Sequence, residues 1–136
     1  MSLLSRLFPR LFPPNPAVRG EALAAKHLKQ KRYRILATNL RNAAGEIDIL
    51  AEAPDRRTIV VVEVKSSIPG SKETNPRPEV RVNLHKQKQL TALAVQMARR
   101  YKLTDRPIRF DVIGVDMHAD GRVEIRHHEH AFESRV

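Results

Sequence analysis

The chain has no cysteine and no tryptophan, and its remaining aromatic residues are two Tyr and four Phe. Without thiols it can form neither a disulfide nor a thiolate metal site, so zinc would need His and carboxylate ligands, and a cytoplasmic location is the expectation. So few rings offer little platform for stacked bases, which argues against single-strand binding by aromatic stacking. No stretch approaches the roughly 20 apolar residues of a membrane-spanning helix, and no stable membrane insertion is expected. Acid is scarce too: 15 Asp and Glu stand against 25 Lys and Arg, for a formal net charge of +10. Such a balance favours an anionic partner, either nucleic acid or an acidic membrane surface.

A length of 136 residues suits one domain, long enough to bury about two-thirds of its unfolded surface. In the first 14 residues Arg6, Pro9 and Arg10 interrupt every apolar run of signal-peptide length. Residues 1–14 therefore read as a flexible basic arm and 15–136 as the folded domain. A membrane-surface role for the arm, as a short amphipathic turn, is the weakest of the readings considered.

What is there is patterned. Glu21, Ala24, Ala25 and Leu28 share a face of a helix predicted over 15–30, which places a Glu on an apolar stripe. Strands are predicted over 33–39, 45–53 and 58–66, then a turn-rich loop over 67–78 containing Pro69, Gly70, Pro76 and Pro78. A second helix is expected over 83–101, with Asn83 as N-cap and Leu90, Leu93, Ala94, Met97 and Tyr101 as its buried stripe. Strands over 107–117 and 122–128, turning at Ala119-Asp120-Gly121, complete an α/β domain with a mixed sheet.

The most informative segments are Gly45-Glu46-Ile47-Asp48-Ile49-Leu50 and Val61-Val62-Glu63-Val64-Lys65. Alternation puts Glu46 and Asp48 on one side of their strand, with Ile47 and Ile49 on the other, and does the same for Glu63 and Lys65 against Val62 and Val64. A symmetric turn over Pro54-Asp55-Arg56-Arg57 would set Asp48 opposite Glu63 and Glu46 opposite Lys65. Opposed carboxylates repel unless something positive lies between them, and a hard divalent cation is the natural candidate. The plainer possibility is a Glu46–Lys65 ion pair beside two solvated acids.

Glu21 on its stripe needs a partner, either a metal or a nearby Arg. Lys86, in the first turn of the second helix, could meet a phosphate or simply cover the surface. Asp111 reads as a structural acid bonding backbone or Arg, and His127-His128-Glu129-His130 reads as a mobile, solvated end rather than a metal site.

Taken together, Gly20-Glu21, Ala24, Asn39, Arg41, Gly45-Glu46-Ile47-Asp48, Val62-Glu63-Val64-Lys65, Lys86 and Arg109-Phe110-Asp111-Val112 resemble the YraN-like family of small bacterial proteins. That family is assigned to the PD-(D/E)XK nuclease superfamily, near the archaeal Holliday junction resolvases. The resemblance covers roughly residues 17–132 and implies a single-domain restriction-endonuclease-like α/β core, a mixed central β-sheet flanked by helices. It implies Asp48, Glu63 and Lys65 as catalytic residues, and Glu21, Asp48, Glu63 and the Val64 carbonyl as ligands for Mg²⁺ or Mn²⁺. Ile47 stands where relatives carry Pro, and Ser66 stands where they often carry a basic residue. The implied activity is hydrolysis of DNA phosphodiesters, with branched DNA as a candidate substrate. Lys86, Arg41, Arg81 and Lys88 would grip the backbone, and resolvase relatives suggest a homodimer. The principal alternative is a nucleic-acid-binding module without useful turnover, acting with a partner in recombination or DNA uptake.

Overall fold

Apolar residues three and four apart draw the first segment into α1 (Pro16–Gln30), which buries Gly20, Ala24 and Leu28. Its end is closed by Tyr33 N–H donating to the Leu28 carbonyl at 3.0 Å, with Arg32 at a left-handed φ of 68°. The computed structural model describes residues 16–69 and 82–133. The expected arm over 1–14, most of the expected 67–78 loop and Arg81 lie outside the described residues.

Among the described residues the chain continues through β1 (Arg34–Asn42), β2 (Gly45–Glu52), β3 (Ile59–Ser67), α2 (Leu84–Arg100), β4 (Ile108–Met117) and β5 (Val123–Phe132). The five strands form one sheet in chain order, parallel only between β3 and β4, which α2 connects, and antiparallel elsewhere. The described residues form a single α/β domain with a five-stranded mixed sheet and two helices. Asn83 caps α2 as expected, its side chain accepting from the Lys86 N–H at 2.8 Å.

Each helix covers its own core. Ala24 and Leu28 of α1 pack with Ile49, Val60, Val62, Ile113 and Val115. Leu90, Leu93, Ala94 and Met97 of α2 pack with Ile47, Leu50, Val61, Phe110 and Phe132. The central strands β3 and β4 are therefore buried on both faces, which is why their sequences run Ile-Val-Val-Val and Val-Ile-Gly-Val without alternation.

Three expectations need correction. Tyr101 does not belong to the buried stripe of α2, because it is the C-cap, where the backbone has left the helix, and it is 46% exposed. The His-rich segment is not a loose end: β5 runs on to Phe132, whose ring stacks on Phe110 at 4.8 Å, and the His127 side chain is buried against Asp111. Ile47 and Ile49 do not share a face, since the first joins the core under α2 and the second the core under α1.

Candidate metal centre

The broken alternation at Ile47 and Ile49 creates the site. Strands β2 and β3 pair from Glu52↔Ile59 to Ile49↔Val62, the register expected from a symmetric turn, and the pairing then stops. One residue further on, Asp48 turns its side chain to the β3 backbone, and its Oδ2 accepts the Val64 N–H at 2.8 Å. Across from Asp48, between the pairs Thr38↔Ile49 and Leu40↔Ile47, Asn39 adopts a left-handed φ of 53°. An Asn tolerates that conformation better than most residues, and the local kink lets the strands roll.

Helix α1 brings a third element. Gly20 lies so close to β3 that a Cβ there would overlap Ser66 Oγ and come within 2.9 Å of Ser66 Cβ. Only glycine allows that approach, and it delivers the next residue, Glu21, to the open end of the β2–β3 pair.

Glu21, Glu46 and Asp48 each offer a carboxylate oxygen within 4.8 Å of the others. With its nitrogen turned toward the acids, the Asn39 amide donates to Glu21 Oε2 at 2.8 Å and to Glu46 Oε1 at 3.2 Å. Arg41 lies 3.3 Å from the same Glu46 oxygen. Burial raises the pKa of Glu21, and the charges of Asp48 and Glu46 add to it. Burial raises Asp48 as well, against the opposing effect of the Val64 N–H.

Glu63 sits beside this cluster. Its side chain is 14% exposed and 3.7 Å from Lys86 Nζ, and its Oε2 is buried with no hydrogen-bond partner. Burial, followed by the charge of Asp48, pushes its carboxyl up to about 7, while Lys86 and Lys65 pull the other way. An acidic centre in which three carboxyls are raised and one buried oxygen is unpartnered is short of positive charge. A hard divalent ion, which takes carboxylate oxygens, matches that shortage and that donor set.

The fold thus brings Glu21, Asp48, Glu63, Val64, Lys65 and Lys86 to one place. Val64 meets Asp48 through its N–H, and half-buried Lys65 makes itself felt at Glu63. The predicted Glu46–Lys65 pair does not form, because the β2–β3 ladder ends before it reaches them and Glu46 turns to Arg41 and Asn39 instead. Glu46 belongs among the candidate ligands, which the sequence reading did not propose. Its place two residues before Asp48 was the available signal. Arg41 and Lys86, expected to face nucleic acid, are both tied to acids of the centre, whereas Lys88 is exposed.

Asp111 has the structural role expected of it. It accepts from Arg109 twice at 2.8 Å and from the His130 N–H at 3.0 Å, and it meets His127 Nε2 at 2.7 Å. A second acidic group, Asp116, His118 and Glu124, also gathers possible ligand atoms, but Arg126 at 2.9 and 3.2 Å and Ser67 already engage Asp116.

A model of the uncharacterised protein family UPF0102 matches residues 20–115 of the chain. UPF0102 proteins of Pelobacter propionicus and Alkaliphilus oremlandii are similar to it. The first is 40% identical over 119 residues, covering 88% of this chain and 83% of the relative. The second is 42% identical over 115 residues, covering 83% and 93%. Among solved structures, Pyrococcus furiosus SfsA in complex with Ca²⁺ resembles the chain at a TM-score of 0.41 and 18% identity. That likeness is loose, and it covers 82% of this chain but 63% of the SfsA chain.

Proposed function

We propose that this chain, which belongs to the uncharacterised protein family UPF0102, is a metal-dependent nuclease of the PD-(D/E)XK kind that hydrolyses DNA phosphodiesters. One observation carries the reading: Glu21, Glu46 and Asp48 converge where β2 leaves β3, beside the unpartnered Glu63 oxygen and Lys65. The resemblance of the spaced motifs to resolvase-like nucleases supports it, and branched DNA is the substrate class it suggests.

In this reading Glu21, Glu46, Asp48 and Glu63 would hold Mg²⁺ or Mn²⁺, with the Val64 carbonyl as a further ligand. The ion would polarise the phosphate and lower the pKa of an attacking water. Lys65 orients that water or offsets the charge that builds on the phosphate oxygens. Lys86 and Arg41 begin paired with acids of the centre, so either can pass to a phosphate once the acids have another partner. Lys88, exposed two residues after Lys86 on α2, and Arg81, outside the described residues, are assigned to phosphate contact from the sequence alone.

The test is cleavage of branched and linear DNA with Mg²⁺ or Mn²⁺ by the native chain, Asp48→Asn and Lys65→Ala. The native chain should cut only with metal, and each variant should lose on the order of a hundredfold or more in rate. Tight binding with no metal-dependent cutting would leave the nucleic-acid-binding module, which the charge of +10 also favours.

A further inference from the structure

Asn39 sits at the centre of the acidic cluster without a task in the chemistry proposed for it. Three features meet at this residue. It occupies a left-handed φ of 53° inside a strand, directly across from Asp48. The alternation of β2 reverses at the same level, Ile47 entering one core and Ile49 the other. Its amide reaches two acids on two different elements, Glu21 on α1 and Glu46 on β2.

We propose that Asn39 is the positioning residue of the metal centre: it holds Glu21 and Glu46 in place so that each keeps one oxygen for a divalent cation. The inference rests on the reading of this cluster as a metal centre.

The chemistry of an amide explains the choice. Two N–H donors on one planar nitrogen can satisfy two carboxylates at once while adding no charge. A Lys or Arg in that place would neutralise the acids and weaken their hold on a cation, and an Asp would add to the repulsion. With Asn39 on Glu21 Oε2 and Glu46 Oε1, and the Val64 N–H on Asp48 Oδ2, one oxygen of each acid is held by the protein. Each acid has a second oxygen besides, and the three together offer ligand atoms within 4.8 Å of one another. Neutral donors that orient metal-binding groups in this way set affinity without touching the ion.

The experiment measures Mn²⁺ affinity on the full chain by calorimetry and by the EPR signal of free Mn²⁺, for native protein and Asn39→Gly. Glycine accepts the left-handed backbone and removes the amide donors. Asn39→Gly should bind Mn²⁺ about tenfold more weakly while remaining folded. Affinity within about twofold of native overturns the proposal, even if the melting temperature falls, since a purely structural role would move stability alone.

A second measurement needs no variant. In the native protein the Asn39 side-chain NH₂ pair, exposed but bonded to both acids, should shift during an Mg²⁺ titration followed by NMR; no shift of that pair also overturns the proposal. A native chain that binds Mn²⁺ yet cuts no DNA sinks the nuclease reading and leaves this one standing. A native chain that cuts while Asn39→Gly binds as tightly sinks this one alone.

Discussion

Burial holds the Glu63 carboxyl at about 7 instead of its ordinary 4.5, so folding without a cation penalises the ionised form. The penalty is absent below the unfolded value, grows as pH rises from about 4.5 and is complete above about 7. A tenfold change in proton affinity corresponds to about 1.4 kcal/mol, so the full penalty is roughly 3 kcal/mol, with little screening at a side chain 14% exposed. Glu63→Gln should therefore stabilise the metal-free protein by about 1–3 kcal/mol in urea unfolding near pH 8 and by almost nothing near pH 4. Equal effects at both pH values would remove this account of Glu63. The same substitution should weaken Mn²⁺ binding, so stability and metal affinity move in opposite directions. Asp111 is the reverse case. Burial raises its carboxyl, but His127, Arg109 and the His130 N–H outweigh burial and hold it low. Asp111→Ala would leave Arg109 with only Tyr33 and Glu129, and buried His127 without its carboxylate, and should cost about 3–5 kcal/mol near neutral pH. A loss under about 1 kcal/mol in the same urea experiment would mean the network carries little.

At the scale of elements, the contact between α1 and β3 decides where Glu21 stands. A methyl at residue 20 meets the Ser66 side chain inside van der Waals contact. Gly20→Ala should push the helix outward, costing about 1–3 kcal/mol and weakening Mn²⁺ binding together. Ser66→Gly removes the obstructing atoms, and adding it to Gly20→Ala should restore Mn²⁺ affinity. Failure of that rescue, with the single variant impaired, would show that the helix is positioned by something else. The cap of α2 is a simpler matter. Asn83→Ala loses the bond to the Lys86 N–H and should cost about 1 kcal/mol in thermal unfolding.

For the whole molecule the dominant quantity is a net charge of +10, to which the acidic centre is a small local exception. DNA binding should weaken steeply with salt and depend little on base sequence, because phosphate contacts position without reading bases. Removing exposed Lys88 by Lys88→Ala should flatten the plot of log affinity against log salt by about one unit, measured by fluorescence anisotropy with metal withheld. An unchanged slope would take Lys88 out of the interface. No described helix is long and apolar enough to cross a membrane.

Much of this was legible along the chain because it depends on period and on neighbours. The 3.6-residue stripe of α1, the Asn83 cap, the uninterrupted apolar run of β3 and the symmetric turn before it are local patterns, and each appears where it was expected. The roll of β2 at Asp48 is not local. It comes from the end of the β2–β3 ladder and from a left-handed Asn39 on the neighbouring strand, so strict alternation put Ile47 and Ile49 on the same face and paired Glu46 with Lys65. The burial of His127 likewise depends on Asp111 from another strand and on Phe132 stacking against Phe110. By itself the sequence determined which elements form and which acids they carry, since those follow from side-chain periodicity and turn chemistry. Only the tertiary structure decided which acids meet, because that depends on how closely Gly20 lets a helix approach a strand and on where two strands part.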